Sequence, residues 1–171
     1  MKQIIGNRYL KGFKFSSLQE LSAFLGNIET KNCLSIEDAS GDNYYCYVCY
    51  NSLTKEKQFV LSFSSDEGED NLNFLFWEEQ RMFILDTGKS IYLIDNNVSI
   101  KTSLEITTPL IGLYLINKDT LLLLEEAFMR VIDYNGKILK SELFDLIEDF
   151  NIQDNILSIQ TSEERKIFKL A

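Results

Sequence analysis

Three hydrophobic hairpins recur along the C-terminal half at nearly constant spacing, and a repeated hairpin leaves a chain few architectures to adopt. The first joins Met82-Phe-Ile-Leu-Asp86 to Ser90-Ile-Tyr-Leu-Ile-Asp95 through Thr-Gly-Lys. The second joins Thr120-Leu-Leu-Leu-Leu-Glu125 to Met129-Arg-Val-Ile-Asp133, and the third joins Asn155-Ile-Leu-Ser-Ile-Gln160 to Lys166-Ile-Phe-Lys-Leu170. Asp95 and Asp133 lie 38 residues apart, and Val131 and Phe168 lie 37 apart. Each unit reads as strand, polar turn, strand. A plain antiparallel meander with evenly spaced hairpins has the same spacing, so the period alone leaves both readings open.

The stretch from Gly112-Leu-Tyr-Leu-Ile-Asn-Lys-Asp-Thr-Leu-Leu-Leu-Leu to Asp133-Tyr-Asn-Gly-Lys-Ile-Leu runs strand, polar turn, strand, second turn, then a strand ending in Asp-x-Asn-Gly. In this it resembles the blades of β-propeller proteins over residues 73 to 170, without the Gly-His or Trp-Asp pairs of the WD type. The resemblance implies four-stranded blades, of which the chain holds two and part of a third, whereas a closed ring takes at least four. Two outcomes are expected. Either the repeats curl into an open array capped by the N-terminal part, or two chains complete each other as a homodimer.

The N-terminal region carries a different signal. Ser17-Leu-Gln-Glu20 spells a capping box, and Leu18, Leu21, Phe24, Leu25 and Ile28 follow at helical spacing until Gly26-Asn27, which offers a left-handed stop. This predicts a helix over 17–27. Cys33 to Glu37, Tyr44 to Tyr50 and Gln58 to Phe63 predict a three-stranded meander for that helix to cover, with turns at 40–43 and 51–57. The acidic run 64–71 reads as a solvated loop between substructures 1–71 and 72–171 of one domain, 1–171. It lacks the alternating register of an EF-hand. The expected fold is mainly β (α+β): a helix on a short β-meander, followed by an antiparallel meander of blade-like repeats too few to close a propeller.

Composition narrows the chemistry. There is no histidine among 171 residues, which removes the commonest general base and metal ligand. Cys46-Tyr-Val-Cys49 sits in a strand, where residues three apart point to opposite faces, so neither a redox pair nor a zinc clamp is built. The three cysteines are expected to be buried thiols. No phosphate loop or nucleophile elbow occurs, and Glu78-Glu79, Glu125-Glu126 and Glu163-Glu164 read as solvated turn acids. The expectation is therefore a protein without enzymatic activity, metal or cofactor. The longest apolar run, Leu110 to Ile116, is too short for a membrane span, and no signal peptide is evident, so a cytoplasmic location is expected. The four tyrosines of 44–50 and Trp77 divide between core and interface roles.

A net charge of −9 disfavours nucleic acid and favours a basic partner. The acidity is concentrated. Glu142, Asp145, Glu148, Asp149 and Asp154 fall in the 141–162 stretch without a single Lys or Arg, interleaved with Leu143, Phe144, Leu146, Ile147 and Phe150. That pattern suggests a short helical turn or an irregular crossover with one apolar face. These five acids form the candidate partner-binding patch. Small size, acidity and the absence of a catalytic set resemble bacterial toxin-immunity proteins, which implies neutralisation of a basic toxin domain. The second reading is a propeller-like scaffold or regulatory subunit that completes its sheet by oligomerisation.

Overall fold

A sheet that is apolar on both faces needs a cover on each side, and the N-terminal sheet is such a sheet. In the computed structural model, residues 2–5, 8–30, 32–37 and 41–170 are described. Strands β1 (Lys2–Ile5) and β2 (Arg8–Phe15) precede helix α1 (Leu18–Gly26), and β3 (Cys33–Ile36), β4 (Asn43–Asn51) and β5 (Lys57–Ser65) follow it. The sheet order is β1-β2-β4-β5-β3, with β3 parallel to β5 and every other pair antiparallel. This corrects the expected three-stranded meander. Strands β2 and β3 run in the same direction, and a parallel return requires a crossover, which α1 supplies. Of the turn expected at 40–43, residue 40 lies outside the described residues.

The helix starts as the capping box predicts, with the Glu20 amide donating to Ser17 Oγ at 3.2 Å. The Glu20 carboxylate reaches back one residue further than expected and accepts from the Ser16 amide (3.0 Å) and hydroxyl (2.8 Å). Its pKa is lowered by those bonds. The stop differs too: Asn27 is right-handed, and its side-chain amide donates to the Ala23 carbonyl at 2.8 Å. Leu21, Phe24, Leu25 and Ile28 pack with Phe13, Phe15, Cys46, Val48 and Val60 on one face of the sheet. The opposite face presents Leu10, Tyr45, Tyr47, Cys49, Phe59 and Leu61 to the next sheet. Cys46 and Cys49 thus point to opposite faces, and burial pushes their thiols up to about 12 and about 11. Cys33, expected to be buried, is exposed.

The repeat follows as two four-stranded antiparallel sheets and one of three strands. The first is β6 (Phe74–Trp77), β7 (Met82–Asp86), β8 (Ser90–Ile94) and β9 (Ile100–Glu105). The second is β10 (Leu110–Leu115), β11 (Thr120–Glu125), β12 (Phe128–Asp133) and β13 (Ile138–Leu143). The last is β14 (Asp149–Gln153), β15 (Ile156–Gln160) and β16 (Arg165–Lys169). The 38-residue offset holds at the level of single hydrogen bonds. Asp95 Oδ1 accepts from the Asn97 and Ser99 amides, and Asp133 Oδ1 accepts from those of Asn135 and Lys137, all at 2.8–3.0 Å. The left-handed residue of each turn is Val98 (φ 63°) in one sheet and Gly136 (φ 80°) in the other. Both sheets bulge just before that turn, at Leu93/Ile94 and Val131/Ile132.

The sheets stack face to face. Phe74, Phe83, Leu85 and Tyr92 meet the N-terminal sheet. Trp77, Ile84, Ile91 and Leu93 meet Leu121, Leu123 and Ile132. Leu122, Leu124, Met129 and Val131 meet Leu157 and Ile159. Polar bonds pin the seams: Ser65 Oγ donates to the Thr87 carbonyl at 2.6 Å, and Trp77 Nε1 donates to the Lys118 carbonyl at 3.1 Å. Arg8 lies over Phe76 and Phe83, 4.7 and 5.2 Å from the ring centroids.

The second strand of each repeat ends in a buried polar group: Asp86, Glu125 or, one residue past β15, Thr161. Glu125 is fully enclosed and ion-paired with the nearly buried Arg130, and it accepts the Thr107 and Thr108 amides at 2.7 and 3.0 Å. Of the three turn pairs expected in solvent, Glu125 is therefore the exception. Removing one partner of a buried pair strands the other charge, so Arg130→Met is expected to cost about 3–5 kcal/mol of unfolding free energy in a urea titration. A loss below about 1 kcal/mol, the usual value of an exposed pair, would contradict this role.

Candidate partner-binding surface

The five acids singled out from sequence lie at three places on the C-terminal end of the array. Glu142 sits on the outer strand β13, where its carboxylate pairs with Lys166 of β16 at 3.3 Å. The connector 144–148 is an irregular crossover without helix. Phe144 and Ile147 turn into the core, fastened by the Phe144 amide to the Ala127 carbonyl (2.9 Å) and the Ile147 amide to the Glu126 carbonyl (2.7 Å). Asp145, Leu146 and Glu148 are thereby exposed. Asp149 opens β14 and accepts the Phe150 amide at 2.9 Å. Asp154 lies at the other end of β14, in a turn where it and Asn155 are both left-handed (φ 50° and 60°). Five residues of strand put Asp149 and Asp154 about 17 Å apart. The fold therefore gathers Asp145, Glu148 and Asp149 at one rim and sends Glu142 and Asp154 elsewhere.

Two further surface features stand beside the acids in interest: the last sheet and a cleft formed by other residues. The last sheet turns Phe150, Ile152, Leu157, Ile159 and Phe168 toward the second repeat. Its far face carries Asn151, Gln153, Ser158, Gln160, Arg165 and Lys169 around Ile156 and Ile167, of which Ile167 is 69% exposed. No other sheet covers this face among the described residues, whereas the opposite end of the array is closed by α1. Arg165 Nε donates to Ser158 Oγ at 2.7 Å across the face.

The second feature is a cleft of about 350 Å³ at the turn end of the seams, lined by Glu67, Asp70, Asp86 and Glu126 with Asn71 and Asn73. Sequence reading misses it because its acids come from loops near residues 67, 86 and 126. The only local signal is the placement of Asp86 and Glu125 at the same point of successive repeats. Asp86 is 2% exposed; its carboxylate accepts from Asn73 Nδ2 (2.9 Å) and the Gly88 amide (2.8 Å). Burial outweighs those bonds and holds its pKa above the usual carboxylate value. Gly88 is required beside it, being left-handed at φ 84° with Glu67 Cγ only 2.4 Å from where a Cβ would stand. Among the described residues no three Asp, Glu or Cys side chains converge to hold a metal ion. The tyrosines split by face: Tyr45 and Tyr47 are fully buried, while Tyr44 and Tyr50 are half-buried under α1.

A carboxyl group whose folded pKa exceeds its unfolded one stabilises below the unfolded value and loses that contribution as pH rises through the folded one. Wild-type protein is therefore expected to lose stability relative to Asp86→Asn as pH climbs above the usual aspartate range. Parallel stability curves for the two proteins in urea titrations would contradict the assignment.

No protein-family model and no curated protein sequence matches the chain. Solved structures do match. BamB from Moraxella catarrhalis superposes with a TM-score of 0.52 at 12% identity, covering 80% of this chain and 49% of that one. BBS1N, solved in complex with ARL6DN, superposes with a TM-score of 0.50 at 10% identity, covering 75% of this chain and 47% of that one. Both are propeller-type proteins, so the likeness supports the propeller part of the fold reading and carries nothing of a toxin-immunity relationship. This chain spans about half the length of each. Among the described residues no helix is long and apolar enough to cross a membrane.

Proposed function

We propose that the chain is a non-catalytic scaffold of propeller type that binds another polypeptide at its C-terminal end. The observation that carries this reading is the exposed Ile156–Ile167 pair on a face of the C-terminal sheet that no other element covers among the described residues, whereas α1 covers the N-terminal sheet. Two exposed isoleucines side by side on one sheet face form an apolar patch of the kind that marks a contact surface. That BBS1N was solved with ARL6DN agrees with propeller surfaces serving as protein platforms.

A second reading assigns docking of a basic protein, such as a toxin domain, to the acids. It is supported by Asp145, Glu148 and Asp149, which stand exposed at one rim. Opposed charge of this kind steers association and weakens with salt.

The two readings separate in a capture experiment from extract of the source cells. A polypeptide held by the wild-type chain is expected to be lost by Ile156→Glu/Ile167→Glu. It should be retained by Leu53→Glu, which alters an exposed leucine in the β4–β5 turn. Loss through Asp145→Lys/Glu148→Lys/Asp149→Lys instead, with affinity falling as salt rises, would transfer the function to the acidic rim. An identical captured set for all four proteins would overturn both.

A further inference from the structure

The outer strands β9 and β13 hold equivalent places in the two four-stranded repeats, so the first serves as an internal reference for the second. The pairs Glu105–Ser90, Ser103–Tyr92 and Thr102–Leu93 of one sheet correspond to Leu143–Phe128, Ser141–Arg130 and Lys140–Val131 of the other, each offset by 38 residues. Among the described residues β9 pairs only with β8 and β13 only with β12, which leaves an outer edge on each sheet. Such an edge invites another strand, and charged side chains are a common guard against it. Strand β9 is guarded in this way by Lys101 and Glu105, both exposed. At the corresponding positions β13 carries Leu139 and Leu143, which are 52% and 62% exposed. The guard of the first repeat is replaced by leucines in the second.

The backbone fixes how a strand could be added. The Phe144 amide donates to the Ala127 carbonyl at 2.9 Å. Bonded and non-bonded pairs alternate along an antiparallel ladder, so the backbone groups of Lys140 and Glu142 turn toward β12 and those of Ser141 and Leu143 turn outward. From Leu139 to Leu143 the edge reads Leu-Lys-Ser-Glu-Leu, a sequence that is complementary to itself when reversed. Laid antiparallel about Ser141, two such strands set Ser141 against Ser141, Lys140 against Glu142 twice and Leu139 against Leu143 twice. Opposite charges and apolar side chains in facing positions both favour a ladder. The bulge leaves Leu139 without a partner on β12 and limits the shared ladder to these rows. The remaining charges nearby agree with this arrangement. Lys137 just before β13 and the exposed Asp145 just after it come to adjoining ends of the two strands. Arg130 is taken by Glu125, and Lys166 steadies Glu142 at 3.3 Å while also pairing with Glu164 at 3.1 Å. Lys140 lies over the Phe168 ring, 4.8 Å from its centroid.

We infer that β13 is a self-recognition edge, which joins two copies of this chain antiparallel about Ser141 so that their second repeats run into one continuous sheet. Main-chain bonds at Ser141 and Leu143 supply the attachment, and the Lys140–Glu142 rows set the register. A wholly acidic or wholly basic strand would match only one of those two residues. The net charge of −9 on each copy repels the other at a distance, so association depends on the local match at the edge. This contact lies along the outer edge of a sheet and differs from a ring completed by two chains. It also uses other residues than the Ile156–Ile167 surface, and neither depends on the other.

Sedimentation equilibrium of the full chain over a concentration series tests the pairing. A reversible equilibrium between monomer and dimer is expected. Lys140→Glu and Glu142→Lys, each alone, put like charges in both facing rows and should weaken the dimer about tenfold or more. Mixed in equal amounts, the two variants present two acids to two lysines, and the dimer should return. Ser141→Pro removes an outward N–H and should also abolish the dimer; if it does not fold, the mixture carries the test. Glu105→Lys on β9 should change nothing. A wild-type chain that stays monomeric up to its solubility limit overturns the proposal. So does a dimer that survives both charge variants, or one that fails to re-form in the mixture. A dimer dissolved instead by Ile156→Glu/Ile167→Glu also overturns it, and places the contact between copies on the last sheet.

Discussion

Burial of the middle strands on both faces is the constraint from which the rest of the structure follows. In β7 every residue from Met82 to Asp86 is buried, and in β11 so is every residue from Leu121 to Glu125. A single sheet with one wet face cannot satisfy such strands. They demand a sheet on either side, and each neighbour with the same property demands another. Stacking then runs until an end is found that can face water or be capped. At the N-terminal end this is α1, laid across the sheet by the parallel return of β3. Past β14 to β16 no further sheet lies among the described residues.

Stacking also explains the buried polar groups. Where the second strand of a repeat ends, turn amides would be shut in between neighbouring sheets without partners. Asp86, Glu125 and Thr161 accept those amides, each in its own way. Glu125 adds Arg130, whereas Asp86 accepts from neutral donors and burial raises its pKa. The cleft beside Asp86 is thus a by-product of seam closure as much as a surface feature. The same economy operates at Gly12, where a Cβ would stand 3.1 Å from the Tyr47 ring, which thus fills the place a side chain would take.

The repeats were legible because their turns carry local chemistry. Asp95 and Asp133 fold their own turns with their own side chains, so a spacing of 38 residues records a geometry that each hairpin sets independently of the rest. Helix α1 was legible for the same reason through Ser17 and Glu20. Strands β1 and β2 were not, because Arg8, Lys11 and Lys14 break the apolar alternation. The structure spends those long side chains on aromatic faces, with Lys11 over Phe13 and Lys14 over Tyr45. Pairing order was invisible for a different reason: β3, β4 and β5 were found as strands, but a parallel partner across a helix leaves no local trace. Glu125 reads as a surface acid until Arg130 and the 106–109 connector close over it. At the candidate surface, the acids were visible one by one, while their dispersal over three places depends on how the strands and the 144–148 connector are laid out.

The described residues form a stack of sheets held together by middle strands that are buried on both faces. Residue-resolved amide hydrogen exchange on the dilute chain tests this most directly. Slowest exchange is expected in β7 and β11, the strands buried on both faces, and faster exchange in the outer strands β9 and β13. Exchange as fast in β7 and β11 as in β9 and β13 would contradict it, because the middle strands would then not be enclosed.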